Sequence, residues 1–183
     1  GNAIDASITA AAVLAVVEPH STGVGGDLFC LLYPANKKKI IALNASGRAP
    51  QAASLEKLLN LGLEGDIPFQ SPHSVSVPTG VAGWVKLIED HGLLSMREVL
   101  APAIKYAKDG YIVADVIADV WRREEEKLTR DNDCKDIFLP NGKYLKAGDI
   151  HYQARLAETL ISISENGRDG FYEGSVAKDM VKK

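Results

Sequence analysis

Apolar residues fall on nearly every face of the first segment. Residues 3–17 carry Ala3, Ala6, Ala10, Ala11, Ala12 and Ala15 among Ile4, Ile8, Val13, Leu14, Val16 and Val17. Alanine is the best helix former, and its small side chain lets neighbours approach closely. The pattern predicts a helix buried on most of its faces. Pro19 ends it, because the residue before a proline is pushed out of the helical region. The periodicity then changes. Ser21-Thr22-Gly23-Val24-Gly25-Gly26 is a glycine-rich loop, and residues 28–33 (LFCLLY) are apolar without alternation. Such a run reads as a strand covered on both faces. Residues 34–38 are turn-like, and 39–44, with Ile40, Ile41 and Leu43, predict the return strand of a hairpin. Ser46-Gly47-Arg48-Ala49-Pro50 is a loop.

The remainder is mostly helical. Residues 54–61 form a short helix that stops at Gly62. Residues 65–78 are a loop with a brief extended piece at 74–77. Residues 81–91 are an amphipathic helix closed by Gly92. Ser95 and Glu98 have capping-box spacing, each side chain satisfying a free amide at the helix start. The helix from Met96 contains Pro102, which predicts a break or restart before Gly110. Residues 115–130 read as one helix, apolar first and charged from Arg122 to Lys127; that charge run is a solvated face. Residues 153–165 and 175–182 supply the last two helices. There is no internal repeat and no low-complexity linker.

Composition narrows the class. The chain has 183 residues, 46% hydrophobic and 25% charged. That is one domain with a core of its own, and it excludes disorder, collagen and coiled coil. A net charge of −3 argues against nucleic acid as partner. No run approaches the roughly 18 apolar residues that cross a bilayer. Cys30 sits in an apolar run and reads as a buried thiol. Cys134 follows a charged segment, so the two form no disulfide framework. His20, His73, His91 and His151 are scattered singly, and no metal or cofactor site is predicted. The sequence opens at Gly1-Asn2-Ala3 and closes on Val181-Lys182-Lys183, inside an unfinished amphipathic helix. The expectation is one partial domain, 1–183, from a longer protein.

Candidate chemistry is sparse. Phosphate-binding loops run strand, glycine loop, helix, so that a helix start faces the phosphate. Here the order is helix, glycine loop, strand. No Gly-x-Ser-x-Gly elbow is present, and sequence neighbours such as His20 and Ser21 rarely make a nucleophile–base pair. Ser21 and Thr22 are read as braces of their loop. Arg48 is the candidate contact. Its guanidinium fork suits a carboxylate, because two parallel N–H donors match two oxygens. The competing reading is an ion pair to a nearby acid that only braces the fold.

Several segments together resemble one family. They are Gly1-Asn2-Ala3-Ile4-Asp5-Ala6, residues 17–26, Leu43-Asn44 through Arg48-Ala49-Pro50, and residues 77–83 (VPTGVAG). Residues 100–104 with 107–111, then 137–140, 145–149 and 167–174, complete the series. In this order they resemble the large subunit of the γ-glutamyltranspeptidase family over essentially the whole chain. The resemblance implies an α+β fold of the four-layer αββα N-terminal nucleophile hydrolase type. This chain would be the helix-rich large-subunit part, with a buried strand pair near its start. It also implies a precursor that cuts itself and a threonine nucleophile at the new N-terminus of the small subunit. A γ-glutamyl group, with glutathione as the usual donor, would pass as an acyl-enzyme to water or to an amine, without cofactor. On that reading no catalytic residue lies in this chain. Its partners are the small subunit of the same precursor and a small γ-glutamyl substrate, and a homo-oligomer stays open.

The chain departs from the family pattern at the substrate contact. Typical members carry Arg-Glu-x-Ala-Pro after this strand, and that arginine grips the glutamyl α-carboxylate. Aligned on Ala49-Pro50, Ser46 and Gly47 stand in place of Arg-Glu, and Arg48 comes two positions later. Asp27 stands where many members have glycine. Arg48 and Ser46 are therefore the candidate substrate-binding residues, and Gly25, Gly26 and Asp27 the candidate pocket loop. These changes resemble the transpeptidase-like branch of the family. The alternatives are an acylase with a non-glutamyl amide substrate and a non-catalytic binding or scaffold protein. The unpaired cysteines point to the cytoplasm; a preceding signal peptide would imply secretion or the periplasm.

Overall fold

In chain order the elements are α1 (Ala3–Val17), β1 (Leu28–Leu32), β2 (Ile41–Ala45), α2 (Leu55–Asn60), α3 (Gly80–His91), α4 (Met96–Asp109) and β3 (Tyr111–Ile112). There follow α5 (Asp115–Arg123), α6 (Glu125–Leu128), α7 (Asn132–Phe138), β4 (Ile150–His151), α8 (Ala154–Asn166), α9 (Asp169–Tyr172) and α10 (Gly174–Lys182). The computed structural model describes residues 1–68 and 70–182. Phe69, in the predicted 65–78 loop, and Lys183 lie outside the described residues. Two compact units form, one from Gly1–Gly23 with Leu87–Lys183 and one from Val24–Lys86.

The first unit is helical. Asn2 starts α1: its side-chain oxygen accepts the Ile4 and Asp5 amides, and the Asp5 carboxylate accepts the Asn2 amide at 2.6 Å. This reciprocal cap satisfies amides that have no partner within the helix. Asp5, Ile8, Ala12, Ala15 and Val16 are buried, while Ala3, Ala6, Ser7, Ala10 and Leu14 are exposed. The expected burial on most faces is thus not found, because nothing among the described residues covers that second face.

Helix α4 packs against both α1 and α8. Ser95 and Glu98 make the predicted capping box. The predicted break at Pro102 does not occur, and α4 runs from Met96 to Asp109 through it. A proline inside a helix costs about 3 kcal/mol, for a lost bond and a ring clash. Val99 and Leu100 before it, and Ala103 and Ala107 after it, are buried, so the core anchors both halves. Two polar contacts tie this core to α1. Thr9 Oγ1 donates to the Val99 carbonyl at 3.1 Å, and Gln153 Nε2 donates to the Val16 carbonyl at 2.6 Å.

Residues 115–130 are not one helix. The backbone leaves helical geometry at Glu124 (φ −99°, ψ 9°), separating α5 from α6, and α7 follows as an element the sequence pattern did not show. The turn lets Trp121 of α5 face Phe138 of α7 within a second cluster of Val113, Ile117 and Ala118. An antiparallel ribbon, β3 with β4, closes it by pairing Tyr111 with His151 and Ile112 with Ile150.

The second unit holds the predicted hairpin, β1 antiparallel to β2, in a register that sets Leu28 opposite Ala45 and Leu32 opposite Ile41. Burial alternates along both strands. Leu28, Cys30 and Leu32 are half-buried, whereas Phe29, Leu31 and Tyr33 are 70%, 78% and 62% exposed. Coverage on both faces is therefore corrected to coverage on one, and the Cys30 thiol is half-buried rather than buried. The start of α3 lies close to the hairpin: a Cβ on Gly83 would sit 2.9 Å from the Ala45 Cβ and 3.1 Å from a Leu28 methyl. The expected extended piece at 74–77 is a 3₁₀ turn at Pro72–Ser74 followed by extended backbone at Val75.

Candidate functional site

The register of the hairpin brings the two candidate loops to one end. Leu28 begins β1 opposite Ala45, the last residue of β2, so Asp27 and Ser46 leave the ribbon side by side. The Asp27 carboxylate accepts the Gly47 amide at 2.8 Å. Asn44 Oδ1 accepts the Ser46 amide at 2.9 Å, which turns the chain out of β2. The Arg48 carbonyl accepts the Val77 amide at 2.9 Å. Thr79 Oγ1 donates to the Ala45 carbonyl at 2.6 Å, and the Gly80 amide donates to the Gly26 carbonyl at 2.8 Å. The segment 76–80 therefore staples both loops from one side.

Two glycines make that approach feasible. A Cβ on Gly47 would stand 2.0 Å from the Val77 carbonyl oxygen and 2.7 Å from Ser76 Oγ. One on Gly80 would stand 2.8 Å from the Gly26 carbonyl oxygen. Neither position has room for a side chain. At Gly25 a Cβ would meet nothing within 4 Å.

Arg48 emerges from this cluster exposed. Among the described residues no ion pair or hydrogen bond engages its guanidinium, so the bracing ion pair weighed from the sequence is not formed. The Ser46 side chain is exposed as well. Of the sequence-predicted residues, Gly26, Asp27, Ser46 and Arg48 are thus brought together. The residues that hold them were not named as site candidates: Asn44, Gly47, Val77, Thr79 and Gly80. All lie in segments already visible as motifs, 43–50 and 77–83, but their task is a contact between segments that no local spacing encodes.

Elsewhere, Ser21 and Thr22 donate their amides to the Glu18 carbonyl at 3.0 and 3.1 Å, so backbone bonds hold that turn. A cavity of about 850 Å³ lies in the first unit, lined by Val13, Val17, Tyr106, Tyr111, Val116 and Ile150 among others. None of the candidate substrate residues lines it. Among the described residues no three His, Cys, Asp or Glu side chains converge as a metal site. No helix among them is long and apolar enough to cross a membrane.

A gamma-glutamyltranspeptidase family model matches residues 1–183. The chain belongs to the γ-glutamyltranspeptidase family. It is 36% identical over 184 residues to the glutathione hydrolase proenzyme of Bacillus subtilis (strain 168), a match covering 98% of this chain and 31% of that protein. The chain thus spans about a third of the length of that relative. It is similar to the structure of Helicobacter pylori gamma-glutamyltranspeptidase with a TM-score of 0.90 and 31% identity, covering 99% of this chain and 54% of that one. A cephalosporin acylase from Bacillus halodurans gives a TM-score of 0.92 and 35% identity, covering 98% and 34%. The fold is accordingly the α+β fold of N-terminal nucleophile hydrolases, of which this chain forms a helix-rich part with two antiparallel strand pairs, β1–β2 and β3–β4.

Proposed function

We propose that this chain is the large-subunit part of an enzyme that hydrolyses or transfers γ-glutamyl groups, with glutathione-type compounds as donors. In this reading the nucleophile is a threonine that self-cleavage exposes at the start of the small subunit. Its hydroxyl oxygen adds to the γ-carbonyl carbon, its proton passes to the departing amine, and the C–N bond breaks. Water or a second amine then releases the acyl group from the ester. This chain supplies scaffold and the carboxylate contact, not the nucleophile.

The observation that carries the reading is Arg48, an exposed guanidinium with no partner among the described residues, in the loop that leaves β2 of a chain matched throughout by the family. A free fork there suits the α-carboxylate of a glutamyl donor. Ser46, exposed two residues before Arg48, would share that contact. The apolar face of Phe29, Leu31 and Tyr33 suits docking of the small subunit. Two half-buried cysteines that form no disulfide among the described residues suit a cytoplasmic setting.

The test begins with the intact mass of protein made from the complete gene. Two chains, the smaller beginning with threonine, are expected; one uncut chain would favour a scaffold without activity. Arg48→Ala in the cut enzyme is expected to raise KM for a chromogenic γ-glutamyl anilide about 10-fold or more, with kcat little changed. A second reading, an acylase for a non-glutamyl amide, draws on the likeness to the cephalosporin acylase and on Ser46-Gly47. It predicts turnover of an acyl amide lacking an α-carboxylate and no response of KM to Arg48→Ala.

A further inference from the structure

We propose that Asp27 is a positioning residue for Arg48, holding the turn from which the guanidinium reaches the substrate. The proposal rests on the carboxylate-binding reading of Arg48 and names what aims it. Arg48 is fixed by its backbone on both sides. Before it, the Gly47 amide is held by the Asp27 carboxylate at 2.8 Å; after it, the Arg48 carbonyl is held by the Val77 amide at 2.9 Å. The loop carrying Asp27 is itself anchored, since the Gly26 carbonyl accepts the Gly80 amide at 2.8 Å. The side chain of Arg48 has no bond of its own among the described residues. Its placement therefore comes from the backbone beneath it. A long side chain leaving a fixed backbone gives up less freedom on binding than one leaving a mobile loop.

Asp27 and Gly47 act as one device. The Gly47 amide turns toward Asp27 because its α-carbon is pressed against the Val77 carbonyl, at a spacing that admits no Cβ. A hydrogen bond to an ionised acceptor is stronger than one between neutral groups, so an aspartate at 27 suits an exposed turn that water would otherwise solvate. Only one oxygen of Asp27 makes this bond, and Asp27 is itself exposed. An aspartate after Gly25-Gly26 and a glycine before Arg48 are thus the two halves of one contact.

The test uses the self-cleaved two-chain enzyme and a chromogenic γ-glutamyl anilide. Asp27→Ala should raise KM about 5-fold, with kcat within about twofold of the parent. Asp27→Asn keeps an oxygen that can accept the Gly47 amide and should restore most of that KM. A residue that merely supported folding would lower the yield of active enzyme without this split. The double variant Asp27→Ala with Arg48→Ala should bind no worse than Arg48→Ala alone, because Asp27 acts through Arg48. If Arg48→Ala raises KM and Asp27→Ala does not, or if the two effects add in full, this inference is overturned and the carboxylate reading stands. If Arg48→Ala leaves KM unchanged, both fall. Should Asp27→Ala fail to self-cleave, Asp27→Ser, whose hydroxyl is too short to reach the Gly47 amide, replaces it in the same comparison.

Discussion

The Asp5 carboxylate is held by the amide of Leu93, which donates to both of its oxygens at 3.0 and 3.2 Å across 88 residues of sequence. The Leu94 amide adds a third bond at 3.2 Å, and the Asn2 amide a fourth at 2.6 Å. Asn2 Nδ2 donates to the His91 carbonyl at 2.6 Å, so the same corner is tied twice. One aspartate both caps α1 and pins its start to the turn between α3 and α4.

This corner yields a prediction with a definite sign. Burial alone would raise the Asp5 carboxyl, but the amides of Asn2, Leu94 and Leu93 outweigh it and hold the group below the usual carboxylate range. A folded value below the unfolded one means that the stabilisation is complete above about pH 4 and is lost as pH falls through the lowered value. Asp5→Asn is expected to lower the melting temperature of the complete protein at pH 7 and to shrink the parent's advantage at low pH. Thermal melts of both proteins across pH 7 to 3 read this out; parallel curves would contradict it.

How legible was this in the sequence? Helix α1 was, to the residue, because alanine content and Pro19 are local signals. The Ser95–Glu98 cap was too, for the same reason. The β3–β4 ribbon was not, since Tyr111 and His151 are paired across 40 positions and each strand is two residues long. The apolar run 28–33 misled for a different reason: it describes a strand meant to be covered twice, and the described residues cover it once. At the site, the types and numbers of Asp27, Ser46 and Arg48 were visible. The Asp27–Gly47 bond that joins them was not, because hairpin register, rather than spacing, creates it.

His151 gives a second titration. Its imidazole is 3% exposed and stands against Trp121, Tyr111 and Phe138, at ring distances of 5.1, 5.6 and 5.8 Å. Among the described residues its Nε2 has no hydrogen-bond partner, and burial pushes its pKa down to about 4 from the ordinary 6.5. The neutral ring is the one that fits. Its contribution is complete above pH 6.5 and is lost as pH falls from 6.5 to about 4. His151→Phe removes the titration while keeping a ring in the cluster. The variant should gain about 2 kcal/mol relative to the parent between pH 7 and pH 4.5, seen as a flatter pH dependence of the melting temperature.

Gly170 tests packing alone. A Cβ there would lie 2.2 Å from the Ser162 carbonyl oxygen, where α9 meets the backbone of α8. The Gly170 carbonyl accepts Ser162 Oγ at 2.9 Å, so the two segments cannot separate without losing that bond as well. Gly170→Ala should destabilise by about 3 kcal/mol, because backbone rather than a flexible side-chain end must move. Gly25→Ala, with nothing within 4 Å of the added carbon, is the matched control and should melt with the parent.

The exposed side of the hairpin makes the last prediction. Phe29, Leu31 and Tyr33 are 70%, 78% and 62% exposed, while Leu28, Cys30 and Leu32, which alternate with them, are half-buried. Three large apolar side chains in a row on one strand face form a patch of the kind that marks an interface. A strand facing water on that side would alternate with polar residues, as antiparallel edges with one wet face do. The chain spans about a third of its relative's length, so cover from the rest of the protein is the reading consistent with this pattern. Leu31→Asp would then put a charge into a dry interface, whereas on a solvated face it would be nearly neutral. In the complete protein, Leu31→Asp is expected to reduce the yield of cut, associated subunits and to lower the melting temperature by several degrees. A variant that cuts, assembles and melts like the parent would show that this face stays in water.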